Sequence, residues 1–396
     1  MKLGFIRTFS GAVGIAVSCL IGAAATADMA AVASPQAGGQ AAPGQNAQEK
    51  PVLAGDVFKS VMVFGGIPVD TFFETMGMFA NAMGDDCTFC HSPDAVFNKA
   101  AFGEPTPRIQ RARQMIAMMT ALNKQYFGGQ PRVTCFTCHR GNQSPASDPD
   151  IALQYGEPHD DPNVRLLPPD VTRITADQIF DKYIKAIGGA DRLAKITSFT
   201  ARGTYAGFDT GHDQVPLEIY AAAPNQLTTI VHLPAGASTR TYNGRIGWMA
   251  GPDTPVPLLT LTAGNLDRAR LEAIAWFPGG IRKAFSQWKV GSVVIGDDDI
   301  QVVQGSQEGQ PPANFYFDAS GLLIRLVRWT RTPVGFVPTQ IDYANYREVA
   351  GVKIPFRKTV SQTYMQMTIE LTDVKPNVAI PPARFAQPAP VRRPPA

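Results

Sequence analysis

The sequence lacks an excess of charge of one sign, and it lacks a long apolar run. Lys and Arg total 36 against 33 Asp and Glu, a net charge of +3, so nucleic-acid binding has no support. The uncharged apolar stretch of residues 11–25 is shorter than the roughly 20 residues that span a bilayer as a helix. From Thr175 onwards no nucleophile triad, phosphate-binding loop or paired-carboxylate motif stands out, so these catalytic classes are not indicated there.

The first 27 residues have the pattern of an export signal. Lys2 and Arg7 give a positive start, the apolar stretch follows, and Ala25-Thr26-Ala27 is a small-x-small cleavage pattern. We therefore expect a protein that is periplasmic or attached to the periplasmic face of the membrane. Cys19 leaves the attachment open, since it is either lost with the signal peptide or acylated in an imperfect lipobox.

Two short motifs carry the chemistry that the sequence does indicate. Residues 87–91 (CTFCH) and 135–139 (CFTCH) are both C-x-x-C-H signatures, the pattern that attaches c-type haem. Two thiols three residues apart can both reach the vinyl groups on one haem edge, and the next histidine then lies under the iron as proximal ligand. The sequence predicts two covalently attached c-type haems, with thioether bonds from Cys87, Cys90, Cys135 and Cys138 and proximal ligands His91 and His139.

Three other interpretations of the cysteines are weaker. A four-thiolate zinc site uses C-x-x-C pairs, but zinc does not need a histidine at the same place after both pairs. A thioredoxin-like redox pair would lie in a βαβ pattern, which neither motif shows. A disulfide within either motif would close a very small loop and add little stability. The repeated histidine therefore favours haem.

A methionine is the expected sixth ligand of each iron. Methionine is a common distal ligand in electron-carrying cytochromes, and seven of the chain's 12 methionines lie between Met62 and Met119. The remaining histidines, His159, His212 and His232, all lie beyond the motifs. A methionine on an apolar helix face is more often core filler than ligand, so the residues alone do not choose among the seven.

A helix is predicted before each motif. The first begins near Asp70 as N-cap and ends near Gly84, and the second runs from about Pro107 to Phe127 and stops at Gly128-Gly129. Each has an apolar stripe at helical spacing. The stripes are Phe72, Met76, Phe79, Ala80 and Met83 in the first helix, and Ala112, Met115, Ile116, Met119 and Leu122 in the second.

Four stretches in and around the cysteine motifs carry a resemblance to a known family. They are Gly66-Ile-Pro-Val-Asp70, Thr75-Met-Gly-Met-Phe79, Ala112-Arg-Gln-Met-Ile-Ala-Met118 with Leu122-Asn123, and Val133-Thr-Cys-Phe-Thr-Cys-His-Arg-Gly141. With them, residues 55–145 resemble the cytochrome c subunit of photosynthetic reaction centres. The resemblance implies a helix alongside each haem that carries its methionine ligand, so Met76 and Met115 would be the distal ligands. Well-known members carry four haems, whereas this chain has motifs for two, like a shortened member.

The resemblance also implies a function and a partner. The chain would be an electron carrier in photosynthetic electron transport, without enzymatic activity of its own. Its partner would be a membrane redox complex, either a reaction centre or another electron donor or acceptor. A periplasmic haem enzyme, such as a peroxidase or dehydrogenase, stays open as an alternative and would need one iron with a free or labile sixth position.

The remaining sequence predicts a second, β-rich domain. Thr175-Ala-Asp-Gln178 is a capping box before a helix closed by Gly188-Gly189, and strand-like segments follow with turns at Asn243-Gly244 and at residues 318–321. Residues 266–285 are expected to be helical, broken at Pro278. This pattern faintly resembles the open half-barrel of outer-membrane lipoprotein carriers, whose concave face would hold an apolar ligand; a purely structural module is the alternative.

The predicted fold class is therefore multidomain α plus β, with a mainly helical dihaem cytochrome c domain followed by a helix and an antiparallel β-sheet. The predicted boundaries are 1–27 signal peptide, 28–50 flexible leader, 51–145 dihaem domain, 146–174 Pro-rich linker, 175–385 β-rich domain and 386–396 Pro-rich tail.

Overall fold

The computed structural model describes residues 50–96, 98–149, 151–156, 163–167, 174–252 and 254–391. The expected signal peptide, residues 28–49 of the leader, Cys19 and His159 lie outside these ranges. Among the helices of the described ranges, none is both long and apolar enough to cross a membrane.

The helices fall into one group before the expected linker and another after it, with α5 within the linker. The α-helices are α1 Ala54–Val57, α2 Val69–Met83, α3 Pro107–Tyr126, α4 Cys135–His139, α5 Ile151–Tyr155, α6 Ala176–Ala186, α7 Ala190–Leu193 and α8 Ala263–Trp276. Short 3-10 helices span Cys87–Phe89, Pro93–Val96, Lys99–Gly103, Phe208–Thr210, Pro278–Lys283 and Pro382–Phe385.

The strands form one antiparallel sheet. They are β1 Ser198–Gly207, β2 Val215–Ala222, β3 Gln226–Leu233, β4 Gly236–Tyr242, β5 Gly247–Ala250, β6 Leu259–Thr260, β7 Gln287–Ile295, β8 Asp298–Ser306, β9 Ala313–Phe317, β10 Leu323–Thr332, β11 Gly335–Val349, β12 Val352–Gln362 and β13 Gln366–Pro376. Their order in the sheet is β6-β5-β4-β3-β2-β1-β13-β12-β11-β10-β9-β8-β7. The large antiparallel sheet with accompanying helices confirms that part of the predicted fold class.

Most strand connections are local, and the sequence signals for them are correct. Asn243 turns the chain between β4 and β5, because its side-chain oxygen accepts hydrogen bonds from the backbone N–H groups of Arg245 and Ile246 at 2.9 and 2.8 Å. Residues 318–321 separate β9 from β10, as predicted. The exception is the step from edge strand β6 to edge strand β7, which α8 and the 3-10 helix beginning at Pro278 carry across the sheet.

Helices α6 and α8 cover one face of the sheet, which we call the helix-covered face. The predicted capping box starts α6, with the Gln178 backbone N–H donating to the Thr175 hydroxyl and the Thr175 N–H to the Gln178 side chain. Phe180 and Tyr183 of α6 then pack into a core with sheet residues such as Phe317. Burial of these apolar groups is the main driving force for the packing.

The opposite face of the sheet is covered in part by residues 163–167, within the expected linker. Leu167 packs among Val302, Tyr316 and Trp329, residues that alternate with those facing the helices. Two hydrogen bonds fix the backbone of this segment, from Asn314 Nδ2 to the Val164 carbonyl at 2.8 Å and from Gln304 Nε2 to the Arg165 carbonyl at 3.1 Å. This part of the linker is therefore docked on the sheet.

The start of α2 differs from the prediction. The helix begins at Val69 with Pro68 as N-cap, so Asp70 is its second residue instead of its cap. The Asp70 carboxylate instead accepts hydrogen bonds from the backbone N–H and the hydroxyl of Thr262, both at 2.6 Å. Asp70 therefore makes a tertiary contact with the start of α8, whereas the sequence predicted that it would cap α2. The predicted end is correct, because Gly84 is the C-cap in the left-handed conformation (φ +65°).

The buried face of α2 also differs from the prediction. The apolar stripe that contains Phe72 and Met76 is only half-buried. The fully buried positions include Asp70, Glu74 and Thr75, whose side chains face α8 and β10. Helical periodicity identified the apolar side of the helix correctly, but the side that faces α8 and Arg328 of β10 carries the polar side chains Asp70 and Glu74.

A buried ion pair lies at the centre of this contact. Glu74 Oε1 is 3.5 Å from Nη2 of Arg328 on β10, and the two side chains are 0% and 1% exposed. Asn265 of α8 accepts a hydrogen bond from the same guanidinium nitrogen at 3.4 Å. Burial raises the pKa of Glu74, and the charges of Arg328 and Arg268 oppose that rise. The pair thus ties α2 to both the sheet and α8.

We expect Glu74→Ala to lower the free energy of unfolding by about 3–5 kcal/mol, because it leaves the Arg328 charge buried without its partner. Urea unfolding of the purified mature protein, followed by circular dichroism, measures the loss.

Glu370→Ala is the matched control, since Glu370 pairs with Arg357 at 3.6 Å on the surface, with both side chains about half exposed. It should cost about 0–1 kcal/mol. Replacing both buried partners, with Glu74→Leu and Arg328→Met, should restore much of the loss. Equal losses of unfolding free energy in Glu74→Ala and Glu370→Ala would contradict a stabilising role for the buried pair.

Candidate haem-binding sites

The first cysteine motif is held on a capped helical turn. Asp86 precedes it, and its carboxylate accepts hydrogen bonds from the Thr88 backbone N–H at 2.7 Å and hydroxyl at 2.6 Å. The His91 N–H donates to the Cys87 carbonyl at 3.0 Å, so the turn continues through the histidine. This arrangement holds Cys87, Cys90 and His91 together on one short piece of helical chain.

The start of α3 fixes the other end of this turn. The Thr106 hydroxyl donates to the Cys90 carbonyl at 2.5 Å, and Arg108 Nη1 donates to the Phe89 carbonyl at 2.7 Å. The Arg108 guanidinium also stacks over the Phe89 ring, 4.1 Å from its centroid. The helix that carries Met115 therefore contacts the first motif directly.

His91 is oriented by a backbone carbonyl. Its Nδ1 lies 3.0 Å from the Phe102 oxygen, and the ring stacks edge-on to Phe102 with centroids 5.1 Å apart. Burial lowers the pKa of His91, with the hydrogen bond to Phe102 opposing the shift, so the neutral imidazole is favoured. A neutral ring that donates from Nδ1 presents its Nε2 lone pair, which is the form that binds iron.

The second motif repeats this arrangement with different residues. Thr134 caps α4 through a reciprocal capping box with Thr137, in which the Thr137 N–H donates to the Thr134 hydroxyl at 3.2 Å. His139 Nδ1 lies 3.1 Å from the Asn142 carbonyl oxygen, which corresponds to the His91–Phe102 contact. Both histidines therefore have a fixed Nδ1 and an Nε2 available to a metal.

Asn123 fixes the loop that leads into the second motif. Its side-chain nitrogen donates to the Val133 carbonyl at 2.7 Å, and its oxygen accepts from the N–H groups of Arg132 and Val133 at 3.1 and 2.9 Å. The residue is 5% exposed, so these bonds are formed away from water. The family pattern includes Asn123 without a role, and the structure shows that it holds this loop.

The two motifs meet at the end of α2. The Gly141 N–H donates to the Ala82 carbonyl at 2.9 Å, and Gln143 Nε2 donates to Asp85 Oδ2 at 2.8 Å. Gly84 contacts the Gly141 backbone so closely that a Cβ atom at Gly84 would collide with it. The protein therefore holds both motifs against one helix end.

The methionines divide into buried and accessible residues. Met78 and Met119 are 6% exposed and pack with Val334 and Val337 in a small core. Met76 on α2 is half-buried on the apolar stripe, and Met115 on α3 and its neighbour Met118, 49% exposed, are also at least partly accessible. The family pattern assigns Met76 and Met115 as ligands, and neither side chain is fully buried in the core.

The tip of the β10–β11 hairpin forms the floor of this small core. Val334 and Val337 are fully buried against Met78, and Cys135 lies at the edge of the cluster. A Cβ atom on Gly335 would lie 2.8 Å from Thr134 Cγ2, so the hairpin directly abuts the cap of α4. This contact could not be predicted from the sequence, because the residues of a hairpin tip do not show which distant part of the chain they will contact.

The donor set fits haem better than zinc. All four motif cysteines are free thiols, and the described residues contain no group of three or more His, Cys, Asp or Glu side chains that could hold a metal ion. Burial raises the pKa of Cys90, and it raises that of Cys135 to about 11, which keeps these thiols protonated. Zinc binds thiolates gathered in one place, whereas thioether attachment needs only one thiol pair and one histidine at each site.

His212 and His232 lie in the sheet region. His232 Nε2 on β3 is within hydrogen-bond distance of Glu218 Oε1, 3.0 Å away, and His212 occupies a left-handed turn position (φ +68°) before β2. Neither residue is on an element that carries a cysteine motif.

A cavity of about 60 Å³ lies between the sheet and helices α6 and α8. Its apolar lining includes Phe199, Leu323 and Ile354, with Glu272 and Lys358 forming an ion pair at one side at 2.8 Å. The volume is well below the roughly 150 Å³ of a cavity that binds benzene. The sheet therefore has an apolar pocket, but not one of the size of an acyl chain.

Residues 50–149 thus present the donors of a c-type haem-binding segment, with two thiol pairs and two oriented histidines. Comparison with known families gives the same class. Residues 9–150 match the family model described as photosynthetic reaction centre cytochrome C subunit, which confirms the resemblance inferred from residues 55–145.

A curated relative points in the same direction. The chain is 26% identical over 101 residues to the photosynthetic reaction center cytochrome c subunit of Roseobacter denitrificans, a match that covers 22% of this chain. It spans 26% of the length of that protein, so the similarity concerns one segment of each.

Some solved structures are similar to the sheet region, with low sequence identities and low TM-scores. A LolA superfamily protein from Nitrosomonas europaea is 13% identical with a TM-score of 0.37, covering 54% of this chain and 98% of that one. A DUF1329 family protein from Desulfovibrio piger is 9% identical with a TM-score of 0.36, over 53% and 96% of the two chains. A putative outer membrane lipoprotein-sorting protein domain from Vibrio parahaemolyticus is 11% identical with a TM-score of 0.33, over 49% and 93%. At these TM-scores the similarities carry no argument about function or ligand.

We expect Asn123→Ala to lower the free energy of unfolding by about 2–3 kcal/mol, because it leaves the Val133 carbonyl and two backbone N–H groups without their buried partner. It should also lower the haem content per chain, measured by the pyridine haemochromogen assay, since the loop before Cys135 is loosened.

Asn142→Ala is the control, because it removes an exposed amide and keeps the backbone carbonyl that orients His139. Its effect on unfolding should stay within about 0.5 kcal/mol. If the two alanine variants match in stability and haem content, Asn123 does not organise the second motif.

Proposed function

We propose that this protein is an exported dihaem c-type cytochrome that transfers electrons and has no catalytic activity of its own. The two haems would be attached through Cys87, Cys90, Cys135 and Cys138. His91 and His139 would be the proximal ligands, and Met76 and Met115 the distal ligands.

The observation that carries the proposal is the matched pair of oriented histidines. In each motif Nδ1 is hydrogen-bonded to a backbone carbonyl, of Phe102 for His91 and of Asn142 for His139. Such a bond selects the tautomer and ring orientation that an axial ligand needs. Two unrelated loops provide the same arrangement, which supports two sites of one kind.

Bound haem would supply a one-electron couple at each iron, and the protein residues would set its surroundings. The cysteine pairs would hold each porphyrin edge on a short helical turn. The histidines would bind through Nε2, while the half-buried stripes of α2 and α3 would shield the opposite side from water. The buried Glu74–Arg328 contact would keep α2, and with it Met76, in place when the charge on the iron changes.

The family match supports a membrane redox complex as partner, with a reaction centre as the named possibility. We place the protein in the periplasm or on the periplasmic face of the membrane, on the basis of its signal-like first 27 residues. Photosynthetic electron transport is the setting that the family name suggests.

We expect Met76→Ala and Met115→Ala each to lower the reduction potential of one haem by on the order of 0.1 V, a modest part of the roughly 0.8 V that axial ligands span. Each should also remove the weak near-infrared sulfur-to-iron band of its own haem. Redox titration with optical detection of the purified protein measures both effects.

Met118→Ala is the matched control, since Met118 lies three residues after Met115 on the same helix and is 49% exposed. It should change neither the potentials nor the band. Unchanged spectra in both ligand variants would show that the methionine assignments are wrong.

The electron-carrier proposal also predicts low-spin, six-coordinate haems in the wild-type protein that turn over hydrogen peroxide slowly. Absorption spectra and a stopped-flow peroxide assay test this. A high-spin band together with rapid peroxide turnover would instead identify a haem enzyme with an open sixth position.

A further inference from the structure

Three arginines lie together beside the tip of the β10–β11 hairpin. The guanidinium carbons of Arg165 and Arg331 lie 4.1 and 5.3 Å from the centroid of the same ring, Phe336. Arg132, in the loop before α4, is the third. Burial is the main cause that lowers the pKa of Arg165, and the like charges of Arg132 and Arg331 lower it further, so both of these charges act on Arg165. We call these three residues the arginine cluster.

The arginine cluster brings three positive charges close together. Among the described residues, no carboxylate lies within ion-pair distance of any of the three guanidinium groups, whereas the buried Arg268 and Arg328 each pair with a glutamate. Like charges held close together repel, and that repulsion is relieved when an anion binds between them. The cluster therefore has the charge of an anion-binding surface.

The three residues are held in place by their backbones before any partner binds. The Arg132 N–H donates to Asn123 Oδ1, and the Arg165 carbonyl accepts from Gln304 Nε2, both at 3.1 Å. Arg331 lies on β10 directly opposite Phe336 on β11. Preorganisation of this kind lowers the entropic cost of association.

The position of the arginine cluster relates it to the second haem motif. Arg132 precedes Cys135 by three residues, and Gly335, next to Phe336, abuts the Thr134 cap of α4. Arg331 alternates along β10 with Arg328, so the cluster lies on the opposite sheet face from the Glu74 contact. It flanks the motif without taking part in the contact that holds α2.

We propose that the arginine cluster is the docking site for a carboxylate-rich surface of the protein that exchanges electrons with the second haem site. This inference rests on the proposed electron-transfer function. An acidic protein fits better than a lipid surface, because membrane-binding segments commonly present clusters of four to eight basic residues, whereas this site has three on a rigid hairpin edge. Complementary charges at such a site would steer encounter and orient the partner.

The experiment measures oxidation of the reduced, haem-loaded protein by hexacyanoferrate(III), an anionic probe, in stopped flow. At low ionic strength, the triple variant Arg132→Gln, Arg165→Gln, Arg331→Gln should react about five- to tenfold more slowly than wild type, and the difference should vanish near 1 M salt. A cationic cobalt(III) phenanthroline complex should oxidise the variant no more slowly than wild type. Poly-L-glutamate should inhibit the hexacyanoferrate(III) reaction of wild type only.

The matched control neutralises three exposed arginines of the sheet, with Arg202→Gln, Arg245→Gln and Arg357→Gln. It changes the net charge equally and should retain both the wild-type rate and the inhibition by poly-L-glutamate. Equal slowing in the two triple variants would overturn the proposal, as would equal slowing with both oxidants.

Two further outcomes would overturn it in other ways. Loss of the second haem in the arginine-cluster variant would show that these residues hold the haem itself. Binding of wild type, but not of this variant, to phosphatidylglycerol vesicles, without inhibition by poly-L-glutamate, would identify a membrane contact. A wild-type chain that carries no haem would refute the proposed function together with this inference, and the haem assay distinguishes that result before any kinetics.

Discussion

The contact on which the rest of the structure depends is the buried pair of Glu74 and Arg328. It joins the helix that carries Met76 to strand β10 of the sheet, and both charges are almost completely removed from water. Taking two ions out of water is expensive, so removing either partner leaves the other as an uncompensated buried charge. Asp70 adds a second polar contact four residues earlier on the same helix face, through its bonds to Thr262. Together they fix the rotation of α2, which determines which of its faces is left for a haem.

Because α2 docks on α8 and β10 through polar side chains, its apolar side stays available for a second surface. A helix that buried its apolar stripe against the sheet would have no apolar side left for a porphyrin. Here the carboxylate side faces Arg328, so the side with Phe72 and Met76 remains only half-buried. The hairpin tip at Val334 completes the arrangement by packing against Met78 on the same helix. The sheet region thus supports the segment that carries the two cysteine motifs.

What could be predicted from the sequence is what local chemistry determines. The C-x-x-C-H turns, the Gly84 stop, the capping box at Thr175 and the turn at Asn243 each depend on residues within a few positions of one another. The buried side of α2 could not be found in this way, because its partners lie on α8 and β10. Helical periodicity shows which side of α2 is apolar, but it does not show that the strand facing the other side carries an arginine.

The second motif shows the same limit at a smaller scale. Its turn was predictable from Cys135 to His139, whereas the clamp by Asn123 and the contact with Gly335 depend on tertiary structure. The domain boundaries stay a prediction, although the chain from Glu49 to Ala396 forms one compact unit.

The path of the chain around the sheet has a mechanical consequence. It passes from α2 on the helix-covered face to residues 163–167 on the opposite face, and then returns to the first face as α6. α2 and α6 therefore contact one face of the sheet, and residues 163–167, within the expected linker, contact the other. Among the described residues, the segment that carries the cysteine motifs is held to the sheet through α2 and the β10–β11 hairpin tip, so a partner that docks beside the second motif would also face a fixed edge of the sheet.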